Sequence, residues 1–462
     1  MKKTVCLLLA AVQMLLCLTG CSGSWPWENA DPSDPSDPVD TIVYAYPSEI
    51  PTYADDREMP MIAFWSPPNT EEWYQSMVDC GFTAVIIDAK YNVTPGSEKM
   101  METLAICDKV GIDAYLAVSC GVSFTALKQY ANYESFKGII TDEPNSKLDI
   151  DNIEKNMEEL YGAYPKERVE YLTNFMPSLT SNLQKDFISY DAYVRYYMEH
   201  GGSNENAFMM DTYPLMTDGT IAGNWLQRLE FLAGISREYD VDFYSYLSTM
   251  SITGAGWKCR RPEEDDMRYT SYVNLAYGVK GLGYFCYMTP GLAPYDREFA
   301  PDDWALVNFE DADDWSTYYK TPTWDAVQTV NSELKAMDHV LLSFDWQGVM
   351  RSIGSEAATT AGRNCFTTAK NWIRKHNGIR KFSSTEDAIL GVFKDENGYD
   401  GFMLVNFADT YYDKENTVTL ELRGATRAVV YIQGKPQTID LVNGTYTTTL
   451  QPGEGQFIIP LN

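Results

Sequence analysis

The segment GIITDEPNS, residues 138–146, sets two carboxylates, Asp142 and Glu143, between a short apolar run and Pro144. Acids a few ångströms apart push their pKa values apart by mutual repulsion, so one can hold a proton while the other is ionised at the same pH. General acid/base chemistry has that requirement. A competing reading makes the pair the start of a helix, with Pro144 at the first helical position and the acids facing the positive end of the helix dipole. Capping explains the pair only in part, because Ser146 and Asp149 make a better cap for the apolar pattern that follows. A second group, Asp211-Thr212-Tyr213-Pro214, again ends an apolar run with a carboxylate.

The elements that must position these residues show a rhythm from Met61 onward. A short β-branched or aromatic run is followed by a longer amphipathic segment, and the unit repeats. The runs are MIAFW (61–65), FTAVIIDA (82–89), IDAYLAV (112–118), FKGIITDE (136–143), VEYLTNF (169–175), AFMMDTY (207–213), VDFYSYL (241–247) and GLGYFCY (281–287). Helices are expected at 70–79, 98–110, 150–161, 225–239, 267–279 and 322–342. Eight strand-helix units in about 280 residues match a (β/α)8 TIM barrel. A doubly wound open sheet is the second choice, but it would usually place a glycine-rich phosphate loop after its first strand, where FWSPPNT has none. Beyond Phe344 short alternating strands such as GFMLVNF, TVTLEL, AVVYIQGK and GQFIIPL predict a small all-β antiparallel sandwich. The stretch EAATTAGRNCFTTAKNWIRKHNG (356–378) reads as an irregular or partly helical insertion.

In such a barrel the residues ending the strands form the active face. Asp142, Glu143 and Asp211 are the candidate catalytic carboxylates. Trp65, Asp88, Asn174, Tyr213, Tyr246 and Tyr287 are candidate substrate-binding residues. Aromatic rings offer flat apolar faces and hydroxyl edges, the combination that a carbohydrate cleft needs. Trp257, in the glycine-rich TGAGWK after the seventh strand, either closes over a sugar or plugs the barrel rim. The charged run RRPEEDDMR (260–268) reads as a solvated loop and helix cap, and PDDWALVNFEDADDWS (301–316) lacks the spacing of a calcium loop.

The chain opens with MKKTVCLLLAAVQMLLCLTGC, a basic start and a short apolar run typical of an export signal. Its end, Leu18-Thr19-Gly20-Cys21, resembles the lipobox of bacterial lipoproteins, which implies cleavage before Cys21 and lipidation of that thiol. Residues 22–41, rich in Pro, Asp and Ser, read as an extended tether. The expected organisation is therefore signal 1–21, tether 22–41, barrel 42–344 and sandwich 345–462. The protein is expected to be exported and anchored to the bacterial membrane or cell surface, with membrane contact through lipid only. Its 65 Asp and Glu against 36 Lys and Arg, a net charge of −29, would repel a phosphate backbone and argue against nucleic acid as a partner. With three histidines and no cysteine pair at metal spacing, neither a metal nor another cofactor is expected. Cys80, Cys107, Cys120, Cys259, Cys286 and Cys365 read as packed thiols.

These residues carry a resemblance. The chain is similar to barrels of the glycoside hydrolase superfamily, specifically to bacterial surface proteins that combine a fourth-strand Asp-Glu-Pro with a sixth-strand Asp-x-Tyr-Pro. The segments YTSYVNLAYGVKGLGYFCYMTP (269–290) and TPTWDAVQTVNSELKAM (321–337) are similar to the penultimate helix with eighth strand, and to the final helix, of those barrels. The likeness covers most of 61–342. It implies a glycoside hydrolase acting on an oligo- or polysaccharide, with Glu143 as general acid/base and Asp142 as an orienting or stabilising carboxylate. Clan members that use two glutamates carry a nucleophile at the end of the seventh strand, and here that strand offers Tyr244, Tyr246 and Ser248 but no carboxylate. An adjacent Asp-Glu instead resembles hexosaminidase-type barrels, in which Asp orients the substrate's N-acetyl group. An inverting enzyme needs carboxyls about 6.5–9.5 Å apart and would pair Glu143 with Asp211 or, second, Asp88. A reading from another class makes the chain a glycan-binding lipoprotein whose barrel has no chemistry.

Overall fold

Eight parallel strands close on themselves. The computed structural model describes residues 46–54, 57–87, 97–118, 127–252, 258–289, 304–310, 315–355 and 363–462. Cys21, the tether, Asp88, Cys120 and Trp257 lie outside the described residues. The barrel strands are β1 (Met61–Phe64), β2 (Ala84–Ile87), β3 (Asp113–Val118), β4 (Phe136–Asp142), β5 (Glu170–Phe175), β6 (Ala207–Asp211), β7 (Asp242–Ser248) and β8 (Gly281–Phe285). Each pairs with the next, and β8 returns to β1 through Ile62 and Gly283, which closes the ring and excludes the open doubly wound sheet. The runs are continuously apolar because helices cover the outside while side chains fill the inside.

The helices follow the sequence in type and shift at their ends. Thr70 caps Glu71–Asp79 and Ser97 caps Glu98–Val110, each accepting from a first-turn amide. The last barrel helix breaks into Pro322–Lys335 and Asp338–Leu341. Helix Glu264–Ala276 starts three residues earlier than the apolar pattern indicates, because Asp266 accepts from the Glu263 amide at 3.1 Å.

The C-terminal part pairs a six-stranded antiparallel sheet with a three-stranded one. The larger runs β11 (Phe344–Ser352), β13 (Ala388–Asp395), β14 (Asp400–Asn406), β19 (Gly455–Leu461), β16 (Arg427–Ile432), β17 (Lys435–Asp440) in spatial order. The smaller runs β12 (Ile379–Ser384), β15 (Asn416–Leu422), β18 (Thr445–Leu450), and a separate pair β9 (Val307–Phe309) with β10 (Tyr318–Lys320) lies beside the barrel. Alternation on β14 sends Phe402 and Leu404 into the sandwich core and Met403 and Val405 into the core shared with the barrel. The central strands of the larger sheet are thus buried on both faces, its edge strand β17 is largely exposed, and helix Glu264–Ala276 is the layer between the sheet and the barrel.

That buried helix carries charged residues, and their counter-charges are supplied. Arg268 makes a bidentate pair with Glu333, Nη2 to Oε1 at 2.7 Å and Nε to Oε2 at 3.0 Å. Arg260 Nη2 reaches Asp266 at 2.9 Å and Asp409 of the sandwich at 2.6 Å. The run 260–268 is thus a helix cap, as expected, but not wholly solvated. Arg260 joins barrel to sandwich through a largely buried pair with Asp409, and Arg268 ties its helix to the last barrel helix through Glu333, while Arg261, Glu263 and Glu264 stay exposed. In the 356–378 stretch, helix Arg363–Thr368 clamps the start of helix Trp225–Tyr239, with Cys365 Sγ donating to the Ala222 carbonyl at 3.1 Å. Cys80, Cys107, Cys259, Cys286 and Cys365 are all buried free thiols.

Candidate active site

The end of β4 answers whether the Asp-Glu pair starts a helix. The following helix is Lys147–Ala163, capped by Ser146, whose hydroxyl accepts from the Asp149 amide at 3.1 Å. Asp149 in turn accepts from the Asn145 amide at 2.9 Å. Asp142 and Glu143 precede this cap, so capping has no need of them. Glu143 adopts φ 48°, the left-handed region that non-glycine residues rarely enter and that concentrates at functional sites. Its amide is held in the ladder by the Asn174 carbonyl at 2.9 Å.

Three carboxyls meet at this end of the barrel. Asp142 is exposed and accepts from Asn174 Nδ2 at 2.9 Å, as their pairing across β4 and β5 dictates. Burial, then the charge of Asp142, pushes the half-buried Glu143 carboxyl up to about 7. Asp211, at the end of β6, is raised well above the usual carboxylate range by burial first and then by the charges of Glu143 and Asp142. Glu143 thus lies within electrostatic reach of Asp142 and Asp211. Asp211 Oδ1, Asn174 Oδ1 and Tyr246 Oη are buried without a hydrogen-bond partner. Orphaned buried polar atoms cost free energy and are rare in folded chains. Three of the fifteen such side-chain atoms among the described residues lie on β5, β6 and β7 beside the carboxylate cluster, as polar atoms open to a hydrogen-bonding partner.

Aromatic rings wall the same end. Trp65, at φ 67° just past β1, packs on Phe64 at 5.6 Å and Phe285 at 5.3 Å between ring centroids. Tyr213 stacks on Phe285 at 5.8 Å, and Tyr246 meets Phe64 edge-on at 6.0 Å. The structure thus groups Trp65, Asn174, Tyr213 and Tyr246 with the acids. Tyr287 does not join them: it is fully buried, its hydroxyl lies 3.4 Å from Ser76 Oγ on the first helix, and its ring packs edge-on against Phe82. The chain has turned away from the mouth by that point. Sequence reasoning missed Phe285, the ring that Phe64, Trp65 and Tyr213 share. Its signal was available, since alternation on β8 turns it opposite to Tyr284, which bonds Asn331 among the helices. At the end of β7, Ser248 Oγ donates to the Met250 carbonyl at 2.7 Å and supplies no carboxylate. Among the described residues no three His, Cys, Asp or Glu side chains group as a metal site.

No protein-family model matches this chain, and no curated protein is recognisably similar to it in sequence. Solved structures are similar in fold. An α-amylase from Anoxybacillus superposes with a TM-score of 0.50 at 10% identity, over 87% of this chain and 98% of that one. A GH27 β-L-arabinopyranosidase from Geobacillus stearothermophilus gives 0.47 at 9% identity, over 88% and 97%. The chain thus has a glycoside hydrolase-like fold, a closed parallel barrel followed by an all-β domain.

Proposed function

We propose that this chain is a glycoside hydrolase acting on an oligo- or polysaccharide. Glu143 gives its proton to the leaving glycosidic oxygen, and Asp142 orients or stabilises the reacting centre. The observation that carries this is the Glu143 carboxyl, pushed up to about 7 and set against Asp142 and Asp211 at the barrel mouth. A carboxylic acid that keeps its proton near neutrality is what protonation of a sugar leaving group demands. Asp211 is the second acid available for a water-activating role. Asn174, Tyr246 and Asp211 offer polar atoms to sugar hydroxyls, and Trp65, Tyr213 and Phe285 supply the apolar wall. We further propose export and anchoring through a lipidated Cys21, with the tether holding the barrel off the membrane. Cys21→Ala should release the protein from the membrane fraction or stall its processing; full solubility of the wild type with Cys21 unmodified would end that reading.

A second reading, a glycan-binding protein without turnover, draws on the end of β7, where Ser248 stands tied to Met250. A panel of aryl glycosides and polysaccharides separates the two. Hydrolysis by the wild type that falls about 10²- to 10⁴-fold in Glu143→Gln supports the enzyme. Binding without turnover, unchanged in Glu143→Gln, supports the binder.

A further inference from the structure

The sandwich presents a pair of tyrosines to the barrel. Tyr411 and Tyr412 follow β14, meet edge-on at 5.2 Å, and Tyr411 is 56% exposed although large and aromatic. Tyr411 is fixed by what lies behind it. Its amide donates to Asp409 Oδ1 at 3.0 Å, and the Arg260 guanidinium lies 5.7 Å from its ring centroid. The same guanidinium reaches Asp409 at 2.6 Å and Thr410 at 3.0 Å, so the loop is pinned to the barrel. A tyrosine anchored through its backbone and still over half in solvent offers an aromatic surface to a flat apolar partner.

Its place in the barrel identifies the partner. The loop after β6, which carries Asp211 and Tyr213, folds into a small hairpin through the Leu215–Ile221 bridge. The tip of that hairpin, Gly219 at φ 73°, abuts Tyr411 so closely that a methyl group there would lie 2.6 Å from Cδ1. Arg260 also donates to the Met216 carbonyl at 3.2 Å, and its amide to the Leu215 carbonyl at 3.0 Å. Gly219 lies six positions after Tyr213, a path of at most about 22 Å. The tyrosine pair therefore stands on the rim that the carboxylate cluster opens onto, within reach of one extended chain.

Resting on the carbohydrate reading of the mouth, we propose that Tyr411, with Tyr412, is an outer sugar-binding subsite contributed by the sandwich. Its ligand is a pyranose unit of the glycan chain whose reacting bond lies at Glu143. The substrate class is then a polymer or longer oligosaccharide, and the sandwich is part of the binding cleft.

The test uses the full chain and the variants Tyr411→Ala, Tyr412→Ala and Tyr411→Phe. Each is run by affinity electrophoresis in soluble starch, xylan, β-glucan, galactomannan and glycol chitin, and each is assayed on those polymers and on aryl monoglycosides. Tyr411→Ala should lose gel retardation at least fivefold and raise KM on the polymer about tenfold, with kinetics on the aryl monoglycoside unchanged. Tyr412→Ala should do the same to a lesser degree. Tyr411→Phe, which keeps the ring, should retain both properties and thereby separate stacking from folding. Wild-type binding or cleavage that Tyr411→Ala leaves within twofold on polymers overturns the subsite while leaving the barrel reading intact. Equal losses on polymer and monoglycoside also overturn it. No binding and no cleavage of any glycan by the wild type overturns both readings.

Discussion

Asn174 grips both members of the acidic pair, its side-chain amide 2.9 Å from Asp142 Oδ1 and its backbone carbonyl 2.9 Å from the Glu143 nitrogen. One residue on β5 thereby sets the direction of two consecutive residues on β4. The backbone contact survives any substitution, whereas the side-chain contact does not. Asn174→Ala should lower kcat/KM by about 10- to 100-fold through misplacement of Asp142, with little change in fold. Activity within twofold of wild type would show that Asp142 needs no such orientation. Steady-state kinetics beside a far-UV CD spectrum make the check.

The raised Glu143 carboxyl gives a pH dependence whose sign can be worked out. As the proton donor, Glu143 acts only while protonated, so kcat/KM should fall as pH rises through about 7. Stability moves the same way. The folded state holds the proton to about 7, whereas the unfolded glutamate releases it near 4.5. The contribution is complete below the unfolded value and is lost as pH rises through the folded one. Glu143→Gln, always neutral, should therefore match wild type at pH 4 and exceed it above pH 7, by on the order of 1 kcal/mol for this half-buried group. Urea unfolding at pH 4, 6 and 8 checks it; parallel curves for the two proteins would place Glu143 in ordinary solvent.

Burial also shapes what is legible in the sequence. The barrel strands stand out because parallel strands covered on both faces must be apolar throughout, and FKGIITD or AFMMD has no other stable place. Asp142, Glu143 and Asp211 are legible for the converse reason: charges that end such runs sit where chains leave the core. Tyr287 is misread because the strand-end rule assumes that the chain still points at the mouth, whereas it has already turned toward the first helix. The Arg260 and Asp409 pair is invisible from sequence because its partners are 149 residues apart. Local charge pattern alone describes a solvated loop there. The left-handed backbone of Trp65 and Glu143 carries no sequence signal, since glycine would be the usual choice.

The Arg268 and Glu333 pair is a stability device distant from the carboxylate cluster. Both residues are buried, and removing Glu333 leaves the Arg268 guanidinium with only the more exposed Glu264 and Asp265 of its own helix as partners. Because Glu264 and Asp265 remain beside Arg268, Glu333→Ala should cost about 2–3 kcal/mol, below the full range for an orphaned buried charge, read as a lower urea midpoint. The double variant Arg268→Met with Glu333→Met removes both charges and should recover most of that loss. A double variant as unstable as Glu333→Ala would mean that the packing of Glu333, and not its charge pair with Arg268, sets the cost.

Two glycines make a matched pair for testing whether Tyr246 belongs to the site. Gly283 on β8 pairs with Tyr246 on β7, and a methyl group at Gly283 would lie 2.6 Å from Tyr246 Cδ1 and 2.9 Å from Met209 Cε. The end of the Met209 side chain can shift, but the Tyr246 ring cannot retreat freely, because Phe64 meets it edge-on at 6.0 Å. Gly283→Ala should therefore displace the ring and move its unpartnered hydroxyl, costing about 1–3 kcal/mol of stability. Gly111 ends helix Glu98–Val110 at φ 76°, with nothing within 4 Å of an added methyl group. Gly111→Ala pays only for the left-handed backbone, about 1 kcal/mol. The two variants should be comparably destabilised, yet only Gly283→Ala should raise KM or reduce glycan affinity, by about fivefold or more. If both leave glycan affinity and turnover unchanged at a temperature where both are folded, Tyr246 is a packing residue and its hydroxyl makes no contact with substrate.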